Sequence, residues 1–435
     1  MIRNDGYLRT MVQRPLAAAL GLIVAASMAA CGTTAPTPPV SARPTATAVV
    51  QASPSATPGA TPTLSGTPPL AIAPVPTSQF ATPAPAAAGL DAAAEAALQK
   101  TLDSIRTSGG YPGVSAAIVY PDGSTWSGQS GMAIVSSKDA VTADTLFSVG
   151  SISKTFVAAL AGRLAARGTI SLDDPLSKYV PTFPNAANIS LRQLLNHTSG
   201  IKDLFQNLSP AITARPSRVW TADQVLAGVG TPYFAPGRSY HYSNTNYVLL
   251  GLAIEQATGQ PIASLIRSEF LAPLGLDHTF YQVTEQAQGP KAHGYMGSAS
   301  APVDQWPVQT MIPFTSEVTA VGPAGAYVSN ATDLARWATA LYGGDVLDQA
   351  TLASMVDISP SAPFKPRYLY GLGFEEWSMA GLTAWGHRGN LDGFWSTMAY
   401  LPASHITIVI LTNAQWADPI GAAASLAKTV LGPTS

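Results

Sequence analysis

The sequence predicts an α/β domain in which one sheet is put together from strands near both ends of the folded region, flanked by helices, with a mostly helical insertion lobe between them. Three observations carry this reading. Apolar strand-like runs stand on either side of a long middle region, at Val114–Tyr120 and again at Ser396–Leu401 and Ile406–Leu411. The middle, from Leu172 to Ala320, mixes helical stretches with turn-rich loops and has no alternating strand–helix repeat. Apolar residues make up 46% of the 435, enough for a large buried core.

The elements follow in chain order. Asp91–Ile105 has helix-forming residues at helical spacing, and Val114–Tyr120 is a buried strand that ends at the turn Pro121-Asp122-Gly123. Gly123–Val135 supplies its hairpin partner. Thr155–Arg167 is a mostly buried helix in which Arg163 and Arg167, four apart, share one face. Helices are expected at Ser190–Leu195, with Ser190 as N-cap, and at Ala222–Gly228 and Tyr247–Thr258. Ala331–Tyr342 and Ala350–Val356 are again helical. Strands are expected at Tyr368–Phe374, Ser396–Leu401 and Ile406–Leu411, and a last helix at Pro419–Val430. There is no internal repeat, HExxH pair, phosphate-binding loop or dinucleotide fingerprint.

Two segments precede the domain expected over 89–435. Residues 1–31 read as an export signal: Arg3, Arg9 and Arg14 form a basic leader, and Pro15–Ala30 is an apolar run too short to span a bilayer comfortably. Met28-Ala29-Ala30-Cys31 resembles the bacterial lipobox, with Met28 where leucine is usual, which implies that Cys31 is lipidated and anchors the protein to a membrane. The alternative is an ordinary signal peptide cut near Ala30. Residues 32–88 are rich in Pro, Thr, Ala and Ser, cannot form a core, and read as a disordered stalk of up to ~170 Å. Cys31 is the single cysteine, so an internal disulfide and a cysteine-based structural metal site are excluded. A net charge of -2 without long runs of one sign leaves no footprint for nucleic acid, and small-molecule or cell-wall substrates fit better.

The chemistry gathers in a few short segments. Ser151-Ile152-Ser153-Lys154 sets a hydroxyl and an amine three apart on one helical face, where a helix start favours a nearby oxyanion. Taken alone, this is equally a capping serine followed by a solvated lysine. Tyr242-Ser243-Asn244 can aim its tyrosine and asparagine to one side if extended, and His387-Arg388-Gly389 follows a strand-like run ending at Trp385. Alone, Tyr242 is a packing ring and His387 a strand-end histidine.

Together with Leu194-Leu195-Asn196-His197-Thr198-Ser199-Gly200, the segments Phe147–Lys154, Tyr242–Asn244 and Gly386–Gly389 stand in the order and spacing of the serine beta-lactamase-like family, which the chain resembles from Leu90 to Ala414. That family includes class C beta-lactamases, D-alanyl-D-alanine carboxypeptidases, esterases and D-amino-acid peptidases. The run Tyr242-Ser243-Asn244-Thr245-Asn246 and the histidine at 387 are most similar to the secreted carboxypeptidases. The resemblance implies a beta-lactamase/transpeptidase-like fold, an antiparallel sheet flanked by helices with a mostly helical insertion lobe. It also implies a serine hydrolase working through an acyl-enzyme, first a D-alanyl-D-alanine carboxypeptidase on peptidoglycan peptides. A broad esterase, a class C-like beta-lactamase and a non-enzymatic penicillin-binding cell-wall sensor are the alternatives, with beta-lactams as inhibitors or substrates.

The expected roles are these. Ser151 is the nucleophile. Lys154 is its base if burial and nearby cationic character keep part of it neutral, and Tyr242 relays a proton to the leaving group. Asn244 orients Lys154 and hydrogen-bonds the substrate amide. His387 holds Tyr242, and its charge gates activity near neutral pH. By analogy with the family, the backbone amides of Ser151 and Asn390 form the oxyanion hole. Gly389 and Gly393 adjoin the bound substrate, Gly393 allowing close packing beside that hole, while His197 ties down a loop beneath the site. Arg388 replaces the family's usual threonine, and it is expected to grip a substrate carboxylate in bidentate fashion or else to point to solvent. No metal or organic cofactor is implied.

Overall fold

The computed structural model describes residues 90–306, 315–360, 363 and 368–432. The expected signal peptide, its Cys31 and the 32–88 stalk lie outside the described residues.

Helix α1, Ala92–Gly109, begins one residue inside the start expected from the sequence, with Asp91 as its N-cap accepting from the Ala94 amide. Strands β1 (Gly113–Val119), β2 (Thr125–Ile134), β3 (Asp139–Ala140) and β4 (Phe147–Ser148) follow, then helix α2 (Ser153–Ala166). The middle region contains helix α3 (Asn244–Thr258) and the short strands β5 (Phe280–Tyr281), β6 (Tyr295–Ser298), β7 (Ala301–Asp304) and β8 (Tyr327–Ser329). Helix α4 (Ala331–Gly343) leads to β9 (Leu369–Tyr370), β10 (Glu375–Met379), β11 (Leu382–Leu391), β12 (Phe394–Leu401), β13 (Ile406–Thr412) and helix α5 (Pro419–Leu431).

The main sheet has the order β3-β2-β1-β13-β12-β11-β10-β9, every pairing antiparallel. The first and last thirds of the folded chain therefore meet at its centre, where Val114 faces Thr412 and Val119 faces Thr407. Alternation along the strands divides the core. Val114, Ala116, Ile118, Ile408 and Ile410 pack under α1 and α5 with Leu98, Leu102 and Leu426. Ala117, Val119, Val409 and Leu411 face the larger core around α2, α3 and α4. Both faces of the central strands are covered, which is why β13 is apolar almost throughout and buried at every position.

Several elements depart from the sequence reading: the helix expected from Tyr247 begins at Asn244, the strand-like run expected to end at Trp385 continues to Leu391, and two more departures have a clear physical reason. The strand expected over Tyr368–Phe374 ends at Tyr370, and pairing resumes only at Glu375. Gly373 has φ +74°, and a Cβ there would lie 2.2 Å from that of Ala158, so the chain turns here and presses its backbone onto α2. A helix at Phe205–Ala214 was not expected, because Pro210 inside it reads locally as a break.

Helix α2 is buried nearly all round, and Arg163 in its last turn converges with Arg167, its C-cap, as their shared face predicts. Arg163 and Arg167 both grip Glu269, at 2.9 and 2.8 Å, and Arg163 also donates to the Glu269 and Val346 carbonyls. Glu269→Ala would leave the Arg163 guanidinium buried without its counter-ion, a loss expected to reach ~3–5 kcal/mol. Denaturant unfolding measures it, and a loss of less than ~1 kcal/mol, the size of an exposed pair, would contradict this reading.

Candidate active site

A close backbone crossing fixes the position of Ser151. One turn of 3₁₀ helix, Gly150–Ile152, joins β4 to α2, and the far end of β11 runs directly beside it. Gly150 has φ +51°, and a Cβ there would lie 2.6 Å from the Asn390 amide nitrogen; a Cβ on Gly389 would lie 1.8 Å from the Val149 carbonyl oxygen. Only two glycines allow this approach. Ser153 Oγ secures the turn by donating to the Gly150 carbonyl at 2.6 Å and accepting from the Tyr327 amide at 3.2 Å. Ser151 is left half-buried beside the Asn390 main chain.

Lys154, one helical turn on, is completely buried. Its Nζ reaches Ser151 Oγ at 2.9 Å, Asn244 Oδ1 at 2.8 Å and the Ala324 carbonyl at 2.7 Å. Burial brings its pKa from 10.5 down to about 7, against the opposing pull of the Asp203 and Glu375 carboxylates. Desolvation alone keeps part of the amine neutral, and the cationic neighbourhood expected from the sequence is replaced by two anions. A neutral amine 2.9 Å from a serine hydroxyl can accept its proton.

Tyr242 and Asn244 converge on Lys154 from the start of α3. Ser243, the N-cap, is extended (φ -145°, ψ 119°), and this sets the two side chains on either side of the amine. The Tyr242 ring centroid lies 4.8 Å from Nζ. Its hydroxyl faces Ser151 without a fully formed hydrogen bond, and burial holds its pKa well above 10, so the phenol keeps its proton and can only give it up during a reaction. Asn244 is oriented by Asp203, whose Oδ2 accepts from the Asn244 amide at 2.6 Å and from Nδ2 at 2.8 Å. His197, at φ +61°, accepts through Nδ1 from Ser243 N at 3.2 Å, while its carbonyl accepts from His241 N at 3.0 Å. Its ring lies 4.3 Å from that of Tyr242, so it ties down the loop beneath the tyrosine.

Three expectations are corrected here. His387 does not hold Tyr242 directly: the rings are 6.3 Å apart, while Nε2 meets Tyr370 Oη at 3.0 Å and Nδ1 faces the Arg388 carbonyl. Nor is it charged near neutral pH, because burial brings its pKa down to about 4. With Nδ1–H directed at a carbonyl, Nε2 accepts the Tyr370 hydroxyl, and Tyr370 stands edge-on to Tyr242 at 6.0 Å. Arg388 neither points to solvent nor presents a free fork. Its Nε and Nη2 bind Glu375 at 2.8 and 2.7 Å, and its plane stacks 3.5 Å from the Tyr368 ring. Gly393, at φ +88°, forms the β11–β12 turn and packs its backbone on Gly294, with its amide on Gln415, the close packing that the sequence reading assigns it.

The structure thus brings Ser151, Lys154, Tyr242 and Asn244 together with the Gly389–Asn390 backbone, and sets His387 one residue behind. Sequence reasoning missed Asp203, Tyr370, Glu375 and the Ala324 carbonyl. Of these, only Asp203 left a signal, an acid just beyond the His197–Gly200 segment.

If neutral Lys154 takes the Ser151 proton, acylation by an aryl ester should rise with pH through about 7 and then level off. The Asp203 carboxylate raises that value, so Asp203→Asn should move the midpoint to lower pH. A midpoint that stays or rises would show that Lys154 does not govern it. His387, already neutral, adds no ionisation between about pH 5 and 8.

The family model described as Beta-lactamase matches residues 92–430. An unguisins hydrolase of Aspergillus violaceofuscus (strain CBS 115571) is 26% identical over 353 residues, covering 73% of this chain and 61% of its own length. The chain therefore spans about three fifths of that relative. A beta-lactamase of Escherichia coli (strain K12) is 27% identical over 347 residues, 71% of this chain and 85% of its own. Among solved structures, D-amino acid amidase from Ochrobactrum anthropi SV3, complexed with D-phenylalanine, superposes with a TM-score of 0.68 at 28% identity, covering 78% of this chain and 99% of that one. With a match across almost all the described residues and a serine, lysine and tyrosine gathered at one turn, the chain belongs to the beta-lactamase family and is a serine hydrolase.

Proposed function

We propose that this protein cleaves short amides and esters beside D-configured residues through an acyl-enzyme on Ser151. The observation that carries this is the 2.9 Å contact between Ser151 Oγ and a lysine amine that burial keeps partly neutral. Ser151 Oγ gives its proton to Lys154 and bonds to the substrate carbonyl carbon. Tyr242 gives its own proton to the leaving nitrogen or oxygen as that bond breaks, and Lys154 returns a proton to Tyr242. Water then releases the acid. The Ser151 and Asn390 amides hold the oxyanion, each such donor contributing ~3 kcal/mol.

Two forms of the activity differ in the end of the substrate. D-alanyl-D-alanine carboxypeptidase action on peptidoglycan peptides is favoured by the motif order, with beta-lactams as inhibitors or slow substrates. An amidase or esterase for uncharged ends is favoured by Arg388, whose charge is already paired with Glu375, and by the likeness to a D-amino acid amidase. We adopt the second form.

Ser151→Ala should lower hydrolysis of a D-phenylalanine amide and of an aryl ester by at least ~10³-fold and abolish labelling by fluorescent penicillin. Turnover that survives this change, or a preference for the L-amide, would overturn the proposal.

We propose further that the protein is exported and held on the outer face of a bacterial membrane through acylated Cys31. Mass spectrometry of membrane-extracted protein should find a lipid-bearing N-terminal residue at 31, and Cys31→Ser should release the domain in soluble form. Unmodified Cys31 in that fraction would rule the anchor out.

A further inference from the structure

We infer that Glu375 determines which substrate ends the site accepts: by holding Arg388, it disfavours leaving groups that carry a carboxylate. The inference rests on the acyl-enzyme reading above. Arg388 lies on β11 between His387 and Gly389, so its main chain borders the nucleophile turn. The neighbouring His387 meets Tyr370, which stands edge-on to Tyr242, so Arg388 and Glu375 lie within electrostatic reach of the catalytic tyrosine and of Lys154.

The pairing is built rather than incidental. Glu375 and Arg388 are 13 residues apart yet come alongside because β10 pairs with β11, with Glu375 opposite Gly386. Both side chains are largely buried, at 5% and 15% exposure. The carboxylate takes Nε, Nη2 and the Arg388 amide, and the Tyr368 ring covers the guanidinium plane. An ion pair closed in this way presents no net positive charge. An arriving carboxylate meets the Glu375 anion across the same guanidinium and has to compete with a partner already placed in bidentate geometry. An amide, ester or amine meets no such repulsion. Glu375 is therefore a positioning residue that acts through Arg388.

The test compares one N-acyl-D-alanyl-D-alanine with its C-terminal amide. In the wild type, which requires no variant to fold, KM for the free acid should exceed KM for the amide; the reverse order would overturn the inference. Glu375→Gln should raise the ratio of kcat/KM for acid over amide by about tenfold or more, chiefly through KM, as a freed guanidinium gains a charged hydrogen bond to the substrate. The double variant Glu375→Gln with Arg388→Gln should bring the ratio back down. An unchanged ratio in Glu375→Gln, with the amide still turned over, would also overturn it. A merely structural pair would lower both substrates together and leave the ratio fixed. Failure of wild type to turn over either substrate, or to be labelled by penicillin, would count against the hydrolase reading itself.

Discussion

The site depends on one amine kept out of water. Lys154 is completely buried, and its three hydrogen bonds go to oxygens of the protein: a serine hydroxyl, an asparagine amide and a main-chain carbonyl. A solvated lysine is a poor base because it stays protonated through the physiological range; burial removes that stabilisation and brings the proton affinity to where it can be exchanged. Two carboxylates close by prevent the effect from going further. The surrounding fold is organised to maintain this balance: α2 brings Lys154 under the serine, α3 brings Asn244 across from it, and Asp203 keeps the amide oxygen facing the amine.

The second constraint is steric. The nucleophile turn and β11 touch through Gly150 and Gly389, and the space between them does not admit a single added methyl group. That contact ties the helical part of the site to the sheet and sets the Asn390 main chain beside Ser151. The aromatic layer of Tyr240, Tyr242, Tyr370 and His197 packs behind it and fixes His387 at the end of a chain of ring contacts. In this layer the histidine is a neutral acceptor within a packed wall.

Much of this was legible in the sequence. Ser151, Lys154, Tyr242 and Asn244 were readable because their chemistry is carried by short local spacings, and the central strands because both their faces are apolar. The sheet built from both ends of the chain was likewise expected. What could not be read depends on partners distant along the chain. Arg388 looked like a free fork because nothing near it announces Glu375, which arrives only through β10–β11 pairing. The charge of His387 was misjudged because burial is a property of the folded neighbourhood. The turn at Gly371–Gly373 was hidden in an apolar run, and the helix over 205–214 was hidden by its proline.

The meeting of β1 with β13 at the centre of the sheet has a consequence for biogenesis. Contacts this far apart close late and slowly, because the intervening loop must be drawn in before any pairing rewards it. In chain order the serine helix is made well before β11, the strand that borders it. Because β13 also carries β12, and β12 carries β11, the closure of Val114 on Thr412 anchors the wall that holds the Asn390 main chain beside the serine.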